Sequence, residues 1–240
     1  MEFEAFSWAH ALGVAMAAVI VIGIIGFRGR LRVTPTANRN VRYALVAVLV
    51  GSELSLQTWY GITHNWGLYS LPFQLCSIMI WLSAIVLLTR SRKLFELTFF
   101  LGIMGAMQAL LTPNLDVSYP QFRFFHFFIA HGAIIGASVF LAAVEGYRPT
   151  VASVFRALGW LHVLAIPAAI TNSLTGSNFM FLARKPDTAS ILDLLAPWPW
   201  YLLELEIVAI ILCFALLGLV TLVDRLVART SRSTKPIRGA

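Results

Sequence analysis

The chain holds 240 residues, 59% of them apolar and only 12% charged, against roughly 45–50% and about 25% in ordinary soluble domains. A chain this short cannot hide that much apolar surface from water, and disorder needs the opposite composition. Two cysteines are too few for a disulfide scaffold. The net charge of +7 sits in short connectors between apolar runs, the pattern that orients membrane helices and not the basic stripe of a nucleic-acid binder.

Seven runs reach the roughly 20 apolar residues that cross a bilayer. In chain order they cover residues 8–27, 41–62, 71–89, 94–112, 122–144, 151–174 and 198–222. The first follows Glu2 and Glu4 in place of a basic leader and outlasts a secretory apolar region, so it reads as a retained helix. All seven are continuously apolar, whereas an outer-membrane barrel alternates apolar and polar positions. The predicted fold is all-α: one seven-helix transmembrane domain over residues 1–224, then a basic tail over residues 225–240.

Fifteen Lys and Arg fall in the connectors 28–42, 90–93 and 148–156 and in the tail; the alternate connectors hold only Arg123, Arg184 and Lys185. The positive-inside rule then places the N-terminus outside and the C-terminus in the cytoplasm, as expected in a bacterial cytoplasmic membrane. Trp8, Trp66, Trp198, Trp200 and Tyr201 fall at predicted interfaces, where amphipathic rings anchor. The longest outer connector, residues 175–197, carries Asn178, Arg184, Lys185, Asp187 and Asp193; it reads either as a lid or as a solvated link. No internal repeat marks a common transporter design.

Ionisable groups inside a membrane are costly and become functional candidates. Counted inward from the outer helix ends, His126 lies about 6 Å deep, His131 and Glu53 about 14 Å, Gln57 and Cys76 about 8 Å and Gln108 about 6 Å. Asn172 lies about 3 Å deep, Glu204 about 9 Å and Glu206 about 12 Å. All sit in the outer half, on several helices, which predicts an outer polar cavity. Glu53, Gln57 and Tyr60 share a helix face. His126 and His131 lie about 140° apart around their helix, and Glu204 and Glu206 about 200° apart, so one of each pair faces a given spot.

Cys76 opens a helix behind Pro72, where a helix N-terminus favours a thiolate and a His from elsewhere can serve as its base; the other reading is a small buried apolar side chain. Cys213, deep among Ile, Leu and Phe, reads as the latter, too far from Cys76 for a disulfide. His131 reads either as a base or as polar glue between helices. Gly132 and Gly136 form a small-xxx-small face for close helix packing. Glu53 is the best candidate acid, followed by Glu204 or Glu206. The two His, Glu53 and Cys76 match no zinc spacing, so no metal or other cofactor is expected.

Pro72-x-x-x-Cys76, His126 to His131-Gly132, and Asn172, Asn178, Lys185-Pro186 and Trp198-Pro199-Trp200-Tyr201 resemble the YwaF-like bacterial integral-membrane proteins. Those are similar to eukaryotic transmembrane protein 164, an ether-phospholipid acyltransferase. The family pattern often has His two residues before the Cys; here Gln74 stands there. The resemblance implies a seven-helix enzyme in which Cys76 takes an acyl chain as a thioester and His131 is the base. The chain then passes to a lysophospholipid or to water. Gln57, Gln108 or Asn172 are expected to hydrogen-bond the oxyanion, with His126 and Glu204 also lining the substrate site. The competing readings are a transporter or small-molecule receptor using Glu53 and Glu204, and a non-catalytic membrane subunit.

Overall fold

The computed structural model describes residues 3–186 and 190–233. Eight helices carry the fold, and the described residues contain no strand. They are α1 (Trp8–Gly26), α2 (Arg28–Val33), α3 (Pro35–Ile62), α4 (Leu75–Thr89), α5 (Arg92–Leu111), α6 (Phe122–Ala143), α7 (Val151–Thr175) and α8 (Tyr201–Ser233). Six of these are long and apolar enough to cross a membrane; α4, with 15 residues, is shorter than that. The chain is an integral membrane protein.

Local chemistry sets the helix ends. Ser7 caps α1 by accepting from the His10 amide, Pro35 opens α3, and a Thr150–Ser153 capping box opens α7. Gly176, at φ 69°, closes α7 in the left-handed region. The structure shortens the predicted third run, because Pro72 has no amide to donate and holds Leu71 extended. Leu68–Ser70 forms a 3₁₀ turn instead, and α4 starts only at Leu75. The basic segment expected to be a plain connector is partly helical, as α2 and the polar first turns of α3. At the other end of the chain α8 continues to Ser233, through much of the expected tail; residues 234–240 and Asp187 lie outside the described residues.

Helix α6 is the buried axis of the bundle, with Phe124, Phe128, Ala133, Ile134, Ala137, Phe140 and Leu141 inaccessible to solvent. Helix α1 packs against it through missing side chains. A Cβ on Gly132 would lie 2.7 Å from the Ala17 Cα, one on Gly136 2.9 Å from the Ile20 Cγ2, and one on Gly13 2.4 Å from the Phe128 ring. The Gly132/Gly136 face therefore packs as its spacing predicts. Within α5, a π-turn at Thr98–Gly102 disturbs the regular bonding, and the Thr98 carbonyl accepts from the Ser138 hydroxyl of α6 at 3.0 Å.

The Arg-rich connectors meet at one end of the bundle. Arg32 donates twice to the Ala143 carbonyl, and buried Arg42 donates to the Leu87 carbonyl at 2.8 Å. Arg90 pairs with Glu145 at 3.7 Å, Arg148 with Asp224 at 2.5 Å and Arg156 with Glu96 at 2.7 Å. Exposed pairs of this kind contribute about 0–1 kcal/mol each, so their main effect is to hold the connectors in register.

The glycine contact predicts a large asymmetry. Gly132→Leu is expected to cost about 1–3 kcal/mol through overpacking, read as a lower melting temperature in detergent. Gly159→Ala, where a Cβ meets nothing within 4 Å, is expected to leave melting unchanged or raise it slightly. Equal melting of the two variants contradicts the packing account.

Candidate functional site

At the end of the bundle opposite the arginine cluster, α3 and α6 face each other through polar side chains. Glu53 is only 3% exposed, a costly place for a carboxyl group. Its Oε1 accepts from the Gln57 amide at 3.0 Å, and Oε2 has no partner. The same Gln57 amide donates to the Ser70 carbonyl at 3.1 Å, and its oxygen accepts from the Trp66 indole at 3.0 Å. One and two turns along α3, Gln57 and Tyr60 continue the Glu53 face as their i, i+4 and i+7 spacing requires.

Across from them, Arg123 in the first turn of α6 donates to the Tyr60 hydroxyl at 2.5 Å and lies over the Trp59 and Tyr60 rings. Its Nε is buried without a partner. His126, one turn on, lies against the Ser52 backbone within electrostatic range of Arg123 and His131; its Nε2 is also buried without a partner. In His131 the Nδ1 lies 2.6 Å from the Phe127 carbonyl. A carbonyl oxygen only accepts, so Nδ1 carries the proton and a neutral ring presents an Nε2 lone pair. The other membrane-embedded histidines differ. His10 uses both ring nitrogens, against the Phe6 amide and the Leu110 carbonyl; His162 uses one on Leu158 and sets the other 3.5 Å from Glu206.

Cys76 is the second residue of α4, half-buried and not in a disulfide. Its Sγ lies 3.6 Å from where a Cβ would sit on Gly105 of α5, so a larger residue there would crowd the thiol. No side chain caps α4; the amides of its first turn have no intrahelical carbonyl to reach. Gln74, just ahead of the helix, lines a polar cavity of about 350 Å³ together with Asn114, Asn178 and Arg184.

The remaining predicted site residues have other engagements. Asn172 clamps Phe179 from both sides, donating to its carbonyl at 3.0 Å and accepting from its amide at 2.7 Å. Glu204 accepts from the Ala196 amide at 2.7 Å, and Gln108 donates to the Thr112 hydroxyl of its own helix at 2.7 Å. Cys213 is fully buried with its sulfur 3.6 Å from that of Met104. The described parts of the connector, residues 175–186 and 190–197, are tied down by hydrogen bonds. Asn178 accepts from the Ala183 and Arg184 amides, Gln74 accepts from Met180, Lys185 donates to Leu195, and the Tyr201 hydroxyl donates to Phe181.

The expected single outer cavity therefore divides into two clusters. Glu53, Gln57, Arg123 and His126 belong to the α3–α6 face, with His131 within electrostatic range of His126; Asn172 and Glu204 hold the connector down. Reading the sequence for ionisable groups missed Arg123, treated as a connector charge. Its signal was the i, i+3 spacing to His126, which puts both on one helix face. Gln74 stood out only as a departure from the family pattern, and its use as a loop anchor depends on a contact 106 residues away. Among the described residues no group of three His, Cys, Asp or Glu is placed to hold a metal ion.

The sequence model of the TMEM164 family matches residues 5–217 of the chain. No curated protein and no solved structure matches.

The Asn172 clamp is open to test. Asn172→Ala removes two buried bonds; the Phe179 carbonyl keeps the Leu182 amide but the Phe179 amide is stranded, a cost of roughly 1–3 kcal/mol. Faster limited proteolysis between residues 176 and 186 is expected, with Ser173→Ala, an exposed position, behaving as wild type. Identical cleavage rates in the two variants contradict the clamp.

Proposed function

Since the chain belongs to the TMEM164 family, we propose that it is a membrane-embedded lipid acyl-transfer enzyme, with Cys76 as nucleophile and His131 as base. The observation that carries this reading is the His131 ring, whose Nδ1 is held by the Phe127 carbonyl and whose Nε2 makes no hydrogen bond among the described residues. A base for a thiol needs that lone pair. In this reading α4 completes a seven-span bundle whose Arg-rich end faces the cytoplasm, as in a bacterial cytoplasmic membrane.

The step is thiol acyl transfer. The Cys76 thiol gives its proton to His131 Nε2, and the sulfur bonds to the ester carbonyl carbon of a phospholipid. The carbon–oxygen bond to glycerol breaks, the leaving oxygen takes the proton from His131, and a lysophospholipid departs. A second lysophospholipid hydroxyl, or water, then gives its proton to Nε2 and attacks the thioester, which releases the thiol. Gln108 and Asn172 are occupied elsewhere, so the oxyanion role passes to the open first-turn amides of α4. The cavity beside Gln74 takes the polar headgroup. Glu53 and His126, each with a buried unpartnered atom, hold protons and orient substrate. A purely structural membrane subunit has no need of two such atoms, since each unmade bond costs roughly 1–3 kcal/mol.

The test is intact mass after incubation with mixed phospholipids. Wild type and Cys213→Ala are expected to gain an acyl mass that hydroxylamine removes, and Cys76→Ala to gain none. An adduct of equal yield in Cys76→Ala, or none in any of the three, overturns the assignment.

A further inference from the structure

A second site lies at the opposite, arginine-rich end of the bundle. Between α1 and α3 runs a groove of about 420 Å³, lined by Ile20, Gly23 and Ile24 of α1, Val41 and Ala44 of α3, and Arg30 and Leu31 of α2. That volume falls within the roughly 300–1,000 Å³ of ligand pockets. Its lining is apolar but for Arg30. The groove exists because small residues line it: a Cβ on Gly23 would meet nothing within 4 Å. Partly buried Val41 and fully packed Leu31 and Leu45 show that the inner wall belongs to the protein core.

Arg30 differs from three of the four other arginines of the same segment; Arg39, which does not line the groove, shares its lack of a described bond. Arg28 donates to the Ile25 carbonyl, Arg32 to Ala143 and Arg42 to Leu87. Arg30 makes none of the described hydrogen bonds, ion pairs or ring contacts, and no acidic residue lines the groove. An exposed arginine on the lining of an apolar slot, within a belt of five arginines over residues 28–42, is complementary to one ligand chemistry: a negatively charged headgroup on an acyl chain. We propose that this groove binds one anionic phospholipid of the surrounding membrane, its chain along Gly23 and Ala44 and its phosphate on Arg30. The site is separate from Cys76 and does not rest on the acyl-transfer reading.

The experiment is native mass spectrometry of the full chain in detergent with equal amounts of phosphatidylglycerol and phosphatidylcholine. Wild type is expected to retain one phosphatidylglycerol, several-fold in excess over phosphatidylcholine. Arg30→Gln is expected to lose that preference while still retaining a lipid. Gly23→Leu fills the slot and is expected to retain neither. Arg39→Gln, an exposed arginine outside the groove, is expected to behave as wild type. Equal losses in Arg30→Gln and Arg39→Gln would reveal only a diffuse charge effect and overturn the proposal. So would unchanged retention in Gly23→Leu, or a two-chain mass abolished by Gly23→Leu, which would place a second copy in the groove.

Discussion

The close approach of α1 to α6 is the constraint on which the rest of the structure depends. Without a side chain at Gly132 the Ala17 backbone comes within van der Waals reach, and Gly13 and Gly136 extend the contact in both directions. In lipid the hydrophobic effect does not drive helices together, so packing at small residues and interhelical hydrogen bonds must do so. That contact buries α6 at the centre of the bundle and fixes its rotation. Once the Gly132 face is turned to α1, Arg123 and His126 face α3, where Tyr60 and the Ser52 backbone meet them.

The two ends of the bundle carry different chemistry. At one end the arginines are mostly spent on helix-end carbonyls and on Glu96, Glu145 and Asp224, and they tie the connectors together. At the other end the polar groups are fewer but more deeply placed, and three of their atoms have no partner. Buried polar atoms are almost always satisfied in a finished core. On the α3–α6 face these atoms are Glu53 Oε2, Arg123 Nε and His126 Nε2; at the arginine end Asn38 Oδ1 and Arg42 Nε are likewise unpartnered.

The all-helical class was legible from composition alone, since continuous apolar runs admit neither barrel nor soluble core. The Gly132/Gly136 packing face was legible from spacing. Three features were not. The exact start of α4 depends on how Pro72 constrains Leu71, which moves it from residue 71 to Leu75, although the place of Cys76 at a helix N-terminus behind Pro72 is legible in the sequence. The roles of Asn172 and Glu204 depend on where residues 178–196 fold back, a tertiary contact no local pattern reports. The histidines divide only once their partners are known: His10 spans to Leu110, whereas His126 leaves Nε2 buried and unpartnered and His131 engages the Phe127 carbonyl through Nδ1.

The central claim is that Cys76 and His131 act as one unit. The direct measurement is the rate at which a lipid-soluble haloacetamide alkylates Cys76, followed by mass in the Cys213→Ala background. The account predicts that His131→Gln slows alkylation at least tenfold while Gln108→Ala leaves it unchanged. Equal alkylation rates with and without the His131 imidazole would contradict it, and would return Cys76 to the status of a half-buried apolar side chain.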